Sequence, residues 1–93
     1  MMIPKSFRLG RYEVSVIVRD RARLVSGALG SFYPSVKLLL IAGKRPKKQV
    51  AVTFWHETTH AILYDMNHPL RDDEKFVTAF SKRLAQVVDT AVL

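Results

Sequence analysis

Alternation of polar and apolar residues near the start of the chain predicts β-strands. Residues 12–18 read Tyr-Glu-Val-Ser-Val-Ile-Val, which alternates at first and is rich in β-branched side chains. A shorter apolar stretch over residues 24–29 contains Gly27 and is a second strand candidate. Residues 36–42 are a third. Because Pro34 cannot donate a hydrogen bond to a neighbouring strand, we expect this third strand to start at an edge of the sheet.

A long segment without Gly or Pro predicts a buried helix in the middle of the chain. It follows Gly43 and continues to about Asn67, and Pro46 suits the first position of a helix. Apolar residues occur on nearly all of its sides, as in a helix that packs at the centre of a domain. The segment also carries two histidines and a glutamate, and polar groups on a buried helix need partners.

A second, amphipathic helix is predicted at the end of the chain. Residues 67–71 interrupt the first helix, and Asp72 can cap a helix that runs to about Leu93. Its apolar residues recur with the helical period and are Phe76, Val77, Phe80, Leu84, Val87, Val88 and Ala91. The predicted fold is therefore α+β, in one domain spanning residues 1–93. It has a short sheet of three, possibly four, strands followed by two helices.

The first predicted helix contains an H-E-x-x-H segment, formed by His56, Glu57 and His60. Because four residues make just over one turn, both imidazoles project from one face about 6 Å apart. This spacing suits two nitrogen ligands of one Zn²⁺ ion. Glu57 lies about 100° around the helix from His56, where a general base for a metal-activated water would stand. The chain has no cysteine, which excludes thiolate ligands and thiol catalysis.

A catalytic zinc site also needs a third protein ligand and one open position. A carboxylate on the first turn of the last helix can reach the histidines, because a helical hairpin folds that turn back over the first helix. We favour Glu74, but the helical wheel places Asp73 nearer the core-facing side, so periodicity leaves the choice open. These carboxylates could instead serve the helix end, with Asp72 or Asp73 as a cap and Glu74 near the positive pole of the helix dipole.

A resemblance to a known family rests on this part of the chain. Residues 52–63 read Val-Thr-Phe-Trp-His-Glu-Thr-Thr-His-Ala-Ile-Leu, and a short amphipathic helix beginning Asp-Glu-Lys-Phe-Val follows. Over roughly residues 28–90 the chain resembles the small phage-type metallopeptidase domains related to the ImmA/IrrE and gluzincin families, which have a minimal zincin-like fold. The resemblance implies that His56 and His60 bind zinc, that Glu57 is the catalytic base, and that Glu74 is the third ligand.

These residues would support hydrolysis of a peptide bond. Glu57 would take a proton from the metal-activated water and deliver it to the leaving amine. A further hydrogen-bond donor should stabilise the oxyanion, and the candidates are Tyr33, Tyr64 and His68. An edge strand over residues 36–41 could hold an extended peptide or protein substrate by adding it to the sheet.

Positive charge is concentrated in the first half of the chain. Lys and Arg against Asp and Glu give residues 1–48 a net charge of +9 and residues 49–93 a net charge of −2, which makes +7 overall. The basic half could attract nucleic acid or an acidic protein, or it could be a solvated surface. The alternative hypothesis is therefore a catalytically weak, metallopeptidase-like module that binds nucleic acid or a repressor through this half. No apolar run approaches the roughly 20 residues that cross a membrane, and a chain without cysteine suits a reducing cytoplasm.

Overall fold

Four strands form one mixed sheet in the computed structural model, which describes residues 1–93. The strands are β1 (Ser6–Leu9), β2 (Tyr12–Arg19), β3 (Gly30–Tyr33) and β4 (Leu38–Ala42). Their order across the sheet is β1-β2-β4-β3. The central strands β2 and β4 are parallel, whereas β1 pairs with β2 and β3 pairs with β4 in the antiparallel sense. The predicted α+β class is confirmed, and the sheet has the larger of the two strand numbers expected.

The third predicted strand lies at the centre of the sheet, so its expected edge position is wrong. β4 has a hydrogen-bonded neighbour on both sides, and the edges are β1 and β3. Pro34 begins a single turn of 3₁₀ helix (Pro34–Val36) that joins β3 to β4. The proline therefore ends the preceding strand. Lys37 follows the turn with a φ of 52°, in the left-handed region, and the new strand starts one residue later.

Residues 24–29 form a loop, so the predicted strand there is wrong too. The amide of Gly27 donates to the carbonyl of Leu24 at 2.8 Å, and the amide of Leu24 donates to the carbonyl of Ala28 at 2.9 Å. Gly27 has a φ of 88°, which extended backbone does not allow. The strand that the chain does form is β3, immediately after this loop. Neither β3 nor β1 follows from the hydrophobic pattern.

The hydrophobic core lies between one face of the sheet and the first helix. Its fully buried members come from β2, β4 and that helix, and they are Val14, Val16, Leu39, Ile41 and Phe54. The ring of Phe54 meets Phe7 of β1 edge-on, with 6.1 Å between the ring centroids. Burial of each such side chain contributes about 1.5–3 kcal/mol to folding. This contact surface fixes the first helix against the sheet.

The first helix, α1 (Lys47–Asp65), is the buried central helix that the sequence predicts. It packs on β3 and β4 on one side and on the second helix on the other. Pro46 is the residue before the helix, one position earlier than expected. Five of its buried residues are polar: Thr53, Glu57, Thr58, Thr59 and His60. Neither helix of the protein has the length and apolar character needed to cross a lipid bilayer.

The second helix, α2 (Glu74–Thr90), packs chiefly against α1. Its cap is Asp73, where Asp72 was expected, because Oδ1 of Asp73 accepts a hydrogen bond from the amide of Phe76 at 2.9 Å. The helix ends at Thr90, short of the predicted end at Leu93. This cap places Glu74 as the first helical residue, with its side chain beside α1.

Candidate metal centre

Two histidines on α1 face the start of α2. His56 and His60 are one helical turn apart, and their ring centroids are separated by 5.1 Å. His60 is buried and His56 is half-buried. The imidazoles share one face of the helix, as their spacing predicts.

Glu74 brings its carboxylate to both histidines. Its Oε2 lies 3.0 Å from Nε2 of His56, and its Oε1 lies 2.7 Å from Nε2 of His60. One ligand atom from each of the three residues lies within 4.8 Å of the others, a spacing that allows the group to hold a metal ion. Asp73 is not part of this group, since its carboxylate caps α2. Of the two carboxylates that periodicity left open, Glu74 is the one that contacts the histidines.

A hydrogen bond at Nδ1 of His60 determines the tautomer of its imidazole ring. Nδ1 lies 2.7 Å from the backbone carbonyl oxygen of Arg71. A carbonyl oxygen only accepts hydrogen bonds, so Nδ1 carries the proton and donates it. In the neutral ring Nε2 then keeps a lone pair, and this nitrogen faces Glu74. Metal-binding histidines in proteins are held in the same way, through the nitrogen that does not touch the metal.

The turn that supplies this carbonyl is held by the side chain of Arg71. Its guanidinium group donates to Oδ1 of Asn67 at 3.2 Å and lies 5.5 Å from the centroid of the Tyr64 ring. Asn67 has a φ of 49°, a left-handed conformation that asparagine adopts more readily than most residues. These contacts hold the turn between the helices in place. They also position the Arg71 carbonyl oxygen that accepts the hydrogen bond from His60.

The donor set fits a divalent cation. Without one, the lone pair of neutral His60 would face a carboxylate oxygen at 2.7 Å, a repulsive contact that a shared proton or a metal ion removes. Two imidazoles and one carboxylate are a ligand set of catalytic zinc sites, which leave a fourth position open. Tetrahedral bonds of roughly 2.0–2.2 Å put neighbouring ligand atoms about 3.4 Å apart. The distances of 3.0 and 2.7 Å from the Glu74 oxygens to the histidine nitrogens are shorter than this, whereas the group as a whole spreads to 4.8 Å. Metal binding would therefore require the three side chains to adjust, which the 68% exposed side chain of Glu74 allows.

Glu57 lies beside this group without belonging to it. The residue is only 7% exposed. Burial raises the pKa of its carboxyl group from 4.5 to about 7, against an opposing effect of His60 and with a smaller contribution from Glu74. A carboxyl group with a pKa near neutrality can both accept and release a proton under ordinary conditions.

Strand β3 passes very close to Glu57. A Cβ atom at Gly30 would lie 2.6 Å from Cγ2 of Thr53 and 3.0 Å from Cγ of Glu57. Only glycine allows this approach, because real Cβ atoms do not come so near to other carbons. The close packing of β3 on α1 therefore limits the space available to the Glu57 side chain.

His56 is kept in the form that binds metal. Burial lowers the pKa of its imidazole below the ordinary value of 6.5, and the Glu74 carboxylate partly opposes this shift. The lowered pKa favours the neutral imidazole, which is the form that metal binding requires.

The three metal-ligand candidates and Glu57 line one cleft of about 490 Å³. Gly30 and Phe32 of β3 contribute to its wall, as do Tyr64 and Asp72. The hydroxyl of Tyr64 donates to Oδ1 of Asp72 at 2.8 Å. This hydrogen bond raises the pKa of Tyr64 above its ordinary value of 10, so the hydroxyl keeps its proton and remains a donor.

One of the three predicted oxyanion donors lines the cleft. Tyr64 lines it, whereas Tyr33 and His68 do not. Nδ1 of His68 accepts a hydrogen bond from the amide of Leu70 at 3.0 Å. Sequence reasoning missed Gly30 and the Arg71 carbonyl. A glycine directly after a loop could have signalled a close approach of two backbones, but no sequence signal identifies a particular carbonyl group.

Comparison with protein-family models, with curated proteins and with solved structures finds no match to this chain. Its function is therefore inferred from the fold and from the geometry of the cleft.

Proposed function

We propose that this protein is a zinc-dependent metallopeptidase with a minimal zincin-like domain, akin to the small phage-type domains related to the ImmA/IrrE and gluzincin families. The observation that carries the proposal is the group of His56, His60 and Glu74, whose ligand atoms lie within 4.8 Å of one another. Glu57 lies beside this group with a pKa raised to about 7. A carboxylate in that position, outside the ligand set, suits a general base.

Each group of residues in the cleft would have a separate role in peptide hydrolysis. Zn²⁺ held by the three ligands would polarise the scissile carbonyl group and make a water molecule acidic near neutral pH. Glu57 accepts the proton of the attacking water and passes it to the leaving amine. The hydroxyl of Tyr64 has a single proton, which it donates to Asp72 in this structure; it would turn from Asp72 to donate to the substrate carbonyl oxygen as negative charge develops there.

Strand β3 supports an extended peptide as the substrate. β3 is an edge strand, and Leu29 just before it accepts a hydrogen bond from the amide of Ala42. Because backbone groups alternate in an antiparallel pair, those of Gly30 and Phe32 point to the free edge. A peptide can add to this edge beside the cleft. The strand expected to bind substrate is therefore β3 and not the predicted residues 36–41, because Val36 and Lys37 lie outside the sheet and β4 pairs on both sides.

The test combines metal analysis with a search for cleavage. Metal content would be measured by mass spectrometry for the purified wild type, Glu57→Gln and His60→Ala. Cleavage would be followed on a library of unstructured peptides. We expect about one zinc per chain in the wild type and in Glu57→Gln, much less in His60→Ala, and cleavage by the wild type alone. Absence of stoichiometric metal in the wild type would overturn the proposal.

The alternative, a catalytically weak module that binds a partner through its basic half, gives a different result. Under this alternative, the wild type and Glu57→Gln would both contain zinc, and neither would cleave peptides. The phage-type origin and the cytoplasmic location stay predictions.

A further inference from the structure

Two basic segments lie together at one end of the sheet. They are residues 19–23 and residues 44–48, which we call the basic end. The amide of Gly43 donates to the carbonyl of Arg19 at 2.7 Å. A second backbone hydrogen bond, of 2.9 Å, runs from the amide of Lys44 to the carbonyl of Arg21. The parallel pairing of β2 with β4 therefore joins two segments that are far apart in the sequence.

The basic end has a large excess of positive charge. Its cations are Arg19, Arg21, Arg23, Lys44, Arg45, Lys47 and Lys48. The one acid within the two segments is Asp20. The ion pairs of the molecule all lie elsewhere, around α2 and the turn before it. All of these cations except Arg45 are exposed, and Nε of Arg45 is buried without a hydrogen-bond partner.

The start of α1 adds to this positive potential. The helix has no acidic residue in its first turn and no side-chain cap. Its free amide groups and the positive pole of its dipole lie beside Lys47 and Lys48. Like charges held together without counter-charges repel each other, and a polyanion relieves that repulsion.

We propose that the basic end binds the phosphate backbone of double-stranded nucleic acid. Several Lys and Arg side chains on one surface match the closely spaced phosphates of a duplex, and binding releases the counterions condensed on it. Arginine contributes further because its planar guanidinium group makes paired hydrogen bonds to phosphate. Neither basic segment contains an aromatic residue, and one aromatic side chain, Trp55, lines the groove beside Lys47 and Lys48, where its ring nitrogen donates to Met1. The basic segments therefore offer no series of rings on which successive unpaired bases could stack. The basic end thus favours a duplex, which carries more charge per length than a single strand.

An anionic membrane is the main competing partner for such a surface. Stable attachment of a basic surface to lipid needs a second, apolar anchor. Near the basic end the large exposed apolar side chains include Val18 and Val25, together with Met1 and Val88, which line a groove with Lys47 and Lys48. The seven cations outnumber these side chains, so we favour nucleic acid and test the membrane as the competing partner.

The basic end is separate from the candidate metal centre. His56 follows Lys47 by nine residues, a distance of about 14 Å along α1, and none of the basic-end cations lines the cleft. Binding of a duplex therefore does not depend on the metallopeptidase proposal.

The experiment compares two triple variants of equal charge in the full chain. Lys44→Gln, Lys47→Gln and Lys48→Gln together neutralise part of the basic end. The matched control carries Lys5→Gln, Arg8→Gln and Arg11→Gln, three exposed cations around β1 and outside the two basic segments. Arg8 and Arg11 lie at the far end of β2 from Arg19, and Lys5 lies opposite Val16. Fluorescence anisotropy would measure binding to a labelled 20-base-pair DNA of arbitrary sequence between 50 and 200 mM NaCl. The same proteins would be tested on a single strand of that length and on phosphatidylserine vesicles.

We expect the wild type to bind the duplex more tightly than the single strand, with an affinity that falls steeply as salt increases. The variant of the basic end should bind the duplex at least about 10-fold more weakly, and its slope of log K against log salt should be shallower by about 2–3. The control should change the affinity less than about 2-fold. Equal losses in the two variants, absence of duplex binding, or preferential binding to vesicles that only the first variant loses would overturn the proposal. Circular dichroism of both variants would show that folding is unchanged.

Discussion

The imidazole of His60 is held by the backbone of Arg71, whose carbonyl oxygen lies 2.7 Å from Nδ1. This hydrogen bond turns Nε2 toward Glu74 and sets the ring in the tautomer that binds a metal. The carbonyl is in turn positioned by the Arg71 side chain, through Asn67 and the ring of Tyr64. The side chain of Arg71 contacts none of the metal-ligand candidates, but it determines the orientation of one of them, His60.

Arg71→Ala should therefore weaken zinc binding about 10-fold without removing any ligand. Loss of the partner of a metal-binding histidine costs about 10–100-fold in affinity, and here the carbonyl remains but loses its support. Competition with a chromogenic zinc chelator would measure the change. Arg83→Ala is the control, because Arg83 is exposed and donates only to the carbonyl of Ala79 on its own helix. An unchanged affinity in Arg71→Ala would show that the turn holds its shape without the guanidinium group.

The neighbouring carboxylates Asp73 and Glu74 should give opposite results. Asp73→Ala removes the cap of α2 and should lower the free energy of unfolding of the metal-free protein by about 1 kcal/mol. Glu74→Gln leaves that cap in place but should weaken zinc binding more than about 100-fold, since it replaces a charged ligand. Urea denaturation and chelator competition measure the two effects. If Asp73→Ala loses zinc as severely as Glu74→Gln, the ligand set is wrong.

Glu57 should make the metal-free protein less stable as the pH rises. The pKa of its carboxyl group is about 7 in the folded protein and near 4.5 in an unfolded chain, so the folded state holds the proton more tightly. The stability due to this proton is complete below pH 4.5 and is lost as the pH rises through 7. The loss is at most about 3 kcal/mol.

The comparison with Glu57→Gln isolates this effect, because glutamine stays neutral. Urea denaturation in the presence of a chelator should give similar stabilities for the two proteins near pH 4.5, and a more stable variant at pH 8. The lowered pKa of His56 acts in the opposite direction, since its stability is lost as the pH falls below 6.5, but both proteins share it. Parallel pH profiles would show that Glu57 is already ionised in the folded protein below pH 7.

Gly30→Ala should disturb the fold and the cleft together. The new methyl group would lie 2.6 Å from Cγ2 of Thr53, so β3 must move away from α1. Overpacking of this kind costs about 1–3 kcal/mol, which thermal and urea denaturation would detect. Ser31→Ala, on the adjacent residue of the same strand, serves as the control and should cost less. A fully stable Gly30→Ala protein would mean that β3 is not pressed against the helix.

Tyr64→Phe tests the proposed donor to the oxyanion. Under the metallopeptidase proposal, the variant should lower kcat about 100-fold and leave KM nearly unchanged, because the lost hydrogen bond forms mainly in the transition state. Zinc content should stay as in the wild type, since Tyr64 does not belong to the ligand group. A loss confined to KM would assign Tyr64 to substrate binding.

The helices and the two histidines follow from the sequence, but half of the sheet does not. α1 is a long segment without Gly or Pro that is apolar on nearly all sides, and α2 is a long segment whose apolar residues recur with the helical period, so the sequence predicts both helices. β1 and β3 have four residues each, too few for alternation to stand out. β4 reads as a continuous apolar run, Leu38–Ala42, which is the pattern of a central strand. Pro34 suggested an edge only because the turn between β3 and β4 was not recognised.

The choice between Asp73 and Glu74 depended on one residue of helix boundary. With the cap at Asp73, the next residue becomes the first of the helix and lies beside α1. With a cap at Asp72, Asp73 would have been a helical residue, without the capping hydrogen bond to Phe76 that occupies its carboxylate here. Helix ends are the least certain part of a sequence-based prediction, and in this chain the ligand set depends on one of them.

α2 rests mainly on α1, and only Val77 and Ser81 of its residues are buried. It is thus held chiefly by one neighbour, and it carries one of the three metal-ligand candidates, whereas the other two are on that neighbour. A metal ion bound by residues of both helices would hold α2 against α1. Amide hydrogen exchange along α2 should then slow markedly when zinc is added, while exchange in the central strands stays the same.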